Sequence, residues 1–136
     1  MVLRGLAAAG VIALAAPTAA AQECPTDWPS ESALQSSPAA TPAAPPSAPR
    51  VADIRFTGND AVDADRLRDA MVTRRERGGR ADAAARYDPA RWAEDHRRLC
   101  AVLRDRGHLT ARVGPPQVED APAAGGERRV VVTIPV

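Results

Sequence analysis

The stretch that decides the fold is DPARWAEDHRRLCAVLRDRGHLTARV, residues 88–113. It carries its own punctuation. Asp88 is an N-cap residue, and Pro89 suits the first helical position, where a missing N–H leaves no partner unsatisfied. Trp92, His96, Leu99 and Leu103 recur at helical spacing and predict one core-facing stripe. Arg104 and Arg106 fall in the last turn, where the negative end of a helix favours cations, and Gly107 is a natural residue just past the end. Beyond it Leu109, Ala111 and Val113 alternate with Thr110 and Arg112, which predicts a half-buried strand.

Towards the N-terminus, residues 75–86 are rich in Arg, Gly and Ala and read as a mobile connection. Before it, residues 51–56 alternate, with Ala52, Ile54 and Phe56 on one face of a strand. Residues 57–60, Thr-Gly-Asn-Asp, form a turn in which Gly58 and Asn59 tolerate positive φ. Asp63 then caps a short helix whose stripe is Leu67, Ala70 and Met71. Towards the C-terminus, Gly114-Pro115-Pro116 interrupts the strand, and residues 119–127 read as a loop of Ala, Pro, Gly and acid. Residues 129–136 are the strongest strand, with Val130, Val131, Val132 and Ile134 filling both faces, which predicts a central position covered by helices on one side. The order is β-α-α-β-β. Two helices on one face of a three-stranded sheet make a two-layer α+β domain over residues 51–136.

Two segments precede it. Arg4, an uncharged apolar run over residues 6–16, Pro17 and the small residues Ala19-Ala20-Ala21 have the layout of a signal peptide cleaved after residue 21. The run is too short for a transmembrane anchor, which takes about 20 residues. Residues 22–50 hold seven of the thirteen prolines among Ala and Ser, without apolar periodicity. Such composition cannot offset the cost of ordering its backbone and reads as a disordered, partly extended linker.

Composition excludes several classes. All eighteen basic residues are Arg, against seventeen acidic ones, for a net charge of +1. Removing Arg4 with the leader leaves neutrality, and no bulk field to steer nucleic acid or anionic lipid. Two His, two Cys and no His/Cys cluster argue against a metal site. No nucleophile–base pair suggests catalysis, and no cofactor or small-molecule substrate is expected. Trp92 and His96 read as core residues, and Glu94-Asp95 as a solvated face pairing with Arg97 or Arg98. Cys24 and Cys100 leave two readings open. Export places them where a disulfide persists, while Cys100 beside the apolar stripe also reads as a small buried filler.

The order and spacing resemble a POTRA (polypeptide-transport-associated) domain. The matching residues are Val51-x-x-Ile54-x-Phe56-x-Gly58-Asn59, then Leu67 and Met71, then Tyr87-Asp88 and Glu94-Asp95-x-x-x-Leu99. After them comes Arg106-Gly107-His108-Leu109-Thr110-Ala111-Arg112-Val113, similar to the family's Gly-Tyr-x-x-Ala-x-Val entry with His108 in place of Tyr. The connection at 75–86 is longer than usual for the family, and the β-barrel that usually follows such domains is absent, as in a stand-alone domain or a fragment of a longer barrel protein. The resemblance implies a non-enzymatic periplasmic module beside the outer membrane. It would assist outer-membrane protein assembly or polypeptide transport, with unfolded or extended polypeptide and β-barrel or secretion components as partners. A structural role, as in the related domain of cell-division proteins, is the alternative. The resemblance also implies that the second strand is a sheet edge onto which an extended peptide adds. In this chain that edge would be Leu109, Thr110, Ala111, Arg112 and Val113.

Overall fold

The computed structural model describes residues 20–36, 42–78 and 82–136. The predicted leader thus lies almost wholly outside the described residues. The domain is α+β, and its centre is the expected sheet. Strand β2 (Arg50–Thr57) runs parallel to β5 (Glu127–Pro135), and β4 (Gln117–Ala124) runs antiparallel to β5. The strand order is β2-β5-β4, so the most apolar strand is central; Val130, Val132 and Ile134 bury one face, and Arg129, Val131 and Thr133 stand half-buried on the other. Helices α2 (Ala64–Ala70) and α3 (Trp92–Asp105) supply the second layer. Leu67, Ala70 and Met71 meet Leu99, Val102 and Leu103 over Val51, Ile54, Val130, Val132 and Ile134 in one buried cluster.

Local rules place these elements. Asp63 accepts the Asp65 N–H at 2.8 Å and Asp88 that of Ala90 at 2.9 Å, so both predicted caps form. Pro89 opens a 3-10 turn, Pro89–Arg91, that leads into α3. At the other end Gly107 takes φ +87°, which lets its N–H reach the Arg104 carbonyl at 2.8 Å and the His108 N–H the Leu103 carbonyl at 2.9 Å. In β2 the alternation is broken. The register shifts between Val51 and Asp53, so Val51 and Ile54 both face the core opposite Val130 and Val132, and Ala52 takes the extra place.

Three expectations need correction. The strand expected over residues 109–113 shrinks to β3 (Arg112–Val113), and it does not join the three-stranded sheet. Residues 107–111 are occupied by the turn that closes α3, with Ala111 N–H bonded to the His108 carbonyl at 3.2 Å. The middle strand of the β-α-α-β-β order is instead β4, in the stretch read as a loop. Gly125 and Gly126, both at positive φ, make the two-residue turn that folds it back on β5. Finally, part of the linker is ordered. Strand β1 (Gln22–Glu23) pairs antiparallel with β3, and helix α1 (Glu31–Ser36) packs on α3. The cause is tertiary: a disulfide joins Cys24 to Cys100, and Leu34 is buried. The connection at 75–86 is also tied down where it is described, by Arg74 N–H to the Ala84 carbonyl and Glu76 N–H to the Val51 carbonyl.

Candidate functional site

A three-stranded open sheet has two edges, and here they differ. The β2 edge is covered. Its Val51 carbonyl accepts the Glu76 N–H at 2.8 Å, its Ile54 carbonyl accepts Arg68 Nε at 2.7 Å, and Arg50 bridges Arg86. Charges reinforce the cover: Glu76 pairs with Arg50 and Arg129, and Glu127 with Arg50 and Arg86. The β4 edge is open. Among the described residues, the backbone of residues 117–121 bonds only to β5. Its side chains are exposed apart from half-buried Ala121, and it carries Glu119 and Asp120, the latter paired with Arg128 at 2.8 Å. Pro122 has no N–H to offer, so the stretch able to pair is residues 117–121.

The residues expected to form the binding edge are placed elsewhere. Leu109, 59% exposed, and Thr110 lie on a surface turn, where with Ala111 and Arg112 they line an open groove. Gly58, Asn59, Val62 and Val136 line it as well. Val113 is fully buried, and Arg112 pairs with Glu23 of β1 at 2.6 Å. Residues 111–113 do pair with an extended segment, but it is the chain's own: Gln22 opposes Val113, Glu23 opposes Arg112, and Cys24 N–H donates to the Ala111 carbonyl at 3.1 Å.

Beneath that segment lies a cluster that spacing alone does not reveal. The His96 ring meets Trp28 edge-on at 5.8 Å and Trp92 at 5.6 Å, and its Nε2 is 3.8 Å from Cys100 Sγ. Burial holds the imidazole below its ordinary pKa, opposed by a hydrogen bond to the Val113 backbone. Asp95, read as a surface charge, is in fact buried. Its carboxylate accepts Val72 N–H at 2.6 Å, Thr73 N–H at 3.2 Å and Thr73 Oγ1 at 2.5 Å, and so satisfies the donors that follow α2. Burial nevertheless raises its pKa, and these hydrogen bonds only moderate the shift. Glu94 keeps the expected pairs with Arg97 and Arg98. Among the described residues no group of three or more His, Cys, Asp or Glu is placed to hold a metal, and no helix is long and apolar enough to cross a membrane.

The β4 edge went unread because Gln117-Val118-Glu119-Asp120-Ala121-Pro122 has neither alternation nor β-formers beyond Val118. The one available signal was Gly125-Gly126 ahead of a strong strand, a hairpin turn that implies a partner strand before it.

Comparison with known proteins agrees with this architecture. The family model POTRA, described as "Surface antigen variable number repeat", matches residues 49–136. No curated protein and no solved structure matches the chain. A match over most of the chain, ending where the β2-α2-α3-β4-β5 unit ends, identifies the chain as a member of the POTRA family.

Proposed function

We propose that this chain is a periplasmic polypeptide-binding module that takes up extended segments by strand addition along β4, in the service of outer-membrane protein assembly or polypeptide transport. The observation that carries the reading is the asymmetry of the sheet: one edge is covered and the other presents residues 117–121 with no partner beyond β5 among the described residues. Main-chain hydrogen bonding is indifferent to side-chain identity, which suits clients of varied sequence. The exposed, polar and partly acidic character of β4, interrupted by Pro122, is how natural edges avoid uncontrolled self-association while staying available for pairing. POTRA domains are generally protein-interaction modules of envelope proteins, and the predicted leader over residues 1–21 supports export.

Two neighbouring prolines test it. Successive residues of an antiparallel strand direct their N–H groups to opposite sides. Of Val118→Pro and Glu119→Pro, one therefore removes an N–H committed to β5 and the other an N–H facing outward. The first is expected to lose thermal stability. The second is expected to keep most of its stability and to lose at least about tenfold in affinity for a synthetic extended peptide of alternating apolar residues, read by fluorescence anisotropy. Unchanged affinity in the more stable variant overturns strand addition at β4.

A further inference from the structure

His96, Cys100 and Arg104 follow one another at a spacing of four and so line one face of α3. All three hold the segment over residues 22–31. Cys100 is bonded to Cys24, and His96 meets the Trp28 ring. Arg104 donates to the Trp28 carbonyl, and to that of Pro29 at 2.7 Å. Asp105 accepts the Glu31 N–H at 2.8 Å and so caps α1, while Glu31 pairs with Arg66 at 2.5 Å. The held segment is thin. Its strand has two residues, its helix six, and between residues 20 and 36 only Cys24, Glu31 and Leu34 are buried. Such an element has no core of its own and stays in place only through what it touches.

What it covers is a second pairing edge. The segment sits on residues 111–113 in the manner of an added strand, with Trp28 reaching the imidazole a few positions beyond the paired residues. Beyond Val113 the chain turns to the main sheet, where Gly114 N–H donates to the Pro135 carbonyl at 2.8 Å.

We propose that residues 22–28 are a covalently latched occupant of a second strand-addition site at residues 111–113, and that reduction of Cys24–Cys100 by a dithiol opens this site to an extended polypeptide carrying an aromatic residue about five positions beyond its paired residues. The redox step is a balanced thiol–disulfide exchange. One thiolate of the external dithiol attacks Cys24 Sγ, the S–S bond breaks, and Cys100 leaves as a thiolate beside His96 Nε2. The second thiol of the reductant then attacks the mixed disulfide, releases Cys24 and closes its own disulfide. Two electrons pass to the cysteines, and the two thiol protons of the reductant end on them. The segment afterwards competes with an incoming strand where it formerly excluded one. This site is separate from β4, and binding at β4 is indifferent to the state of the disulfide.

The test uses the full chain, oxidised or reduced with dithiothreitol, and the Cys24→Ser/Cys100→Ser double variant. Amide hydrogen exchange at residues 22–24 and 111–113 is expected to quicken on reduction and to become at least about tenfold faster than at β2 and β5, which lose only the protection that the whole domain loses. A labelled peptide copying residues 20–30, with Cys24→Ser, is expected to bind the reduced chain and the double variant at least about tenfold more tightly than the oxidised chain. The same peptide with Trp28→Ala is expected to bind more weakly. Equal binding to oxidised and reduced chain, or exchange that stays slow at residues 22–24 after reduction, overturns the proposal. Exchange at residues 22–24 and 111–113 that quickens only in step with β2 and β5 also overturns it, because the disulfide is then only a staple of the whole domain.

Discussion

Asp95 is 2% exposed, yet it is a carboxylate. Three donors from Val72 and Thr73 converge on it, but burial outweighs them and raises its pKa above the ordinary 3.8. A raised native pKa means that the folded chain holds this proton more tightly than the unfolded chain does. The associated stability is complete below 3.8 and is lost as pH rises through the higher folded value. Asp95→Asn keeps an oxygen acceptor for the backbone donors and has no charge to desolvate. Its stability relative to the parent is therefore expected to improve between about pH 3 and pH 7 in urea titrations. A relative stability that stays flat or falls over that range contradicts the assignment. Asp95→Ala leaves those donors unsatisfied and is expected to cost about 1–3 kcal/mol. His96 has the opposite sign. Its lowered pKa gives stability that is present above the ordinary 6.5 and lost as pH falls through the folded value.

At the scale of the element, two glycines at positive φ separate strain from crowding. Gly58 ends β2 at φ +79°, and a Cβ there would lie 2.5 Å from the Val136 carbonyl oxygen, beside the bond from Val136 N–H to the Thr57 carbonyl. Gly107 ends α3 at φ +87°, and a Cβ there would meet open space. Gly107→Ala is expected to cost about 1–2 kcal/mol, the price of the left-handed conformation alone. Gly58→Ala adds a clash with backbone and is expected to cost more, about 2–4 kcal/mol, with faster exchange at the Val136 amide. Equal losses in thermal unfolding contradict the crowding argument. The helices were legible in the sequence because Asp63, Asp88 and Gly107 punctuate them through local chemistry. The pairing edge was not. Residues 109–113 alternate, but Leu109 and Ala111 answer to a turn and a groove and only Val113 to the core, whereas β4 is held as a strand by its ladder to β5 and needs no apolar face of its own.

For the whole molecule, the disulfide closes a span of 76 residues and ties the segment before the POTRA domain to its longest helix. A cross-link of that span chiefly restricts the unfolded chain, so the Cys24→Ser/Cys100→Ser variant is expected to lose about 2–4 kcal/mol of unfolding free energy. The check is the urea midpoint of the oxidised parent against that of the variant, and coincident midpoints contradict it. The rest of the architecture follows from one allocation of surfaces. α2 and α3 cover one face of the sheet, the 75–78 backbone and its ion pairs cover the β2 edge, and β4 is left at the other.

Local chemistry written along the chain was enough to set the first strand, the two main helices with their caps and the central place of residues 129–136, because each rests on neighbours within a few positions or on the apolar character of one segment. Three features depended on partners far away in the chain. These are the strand at residues 117–124, whose exposed side chains carry no signal until β5 lies beside it, the burial of Asp95 under the end of α2, and the return of residues 22–36 onto α3. Such contacts are settled only when the backbone has closed around the core, since the residues that make them are polar or small and declare no periodicity of their own.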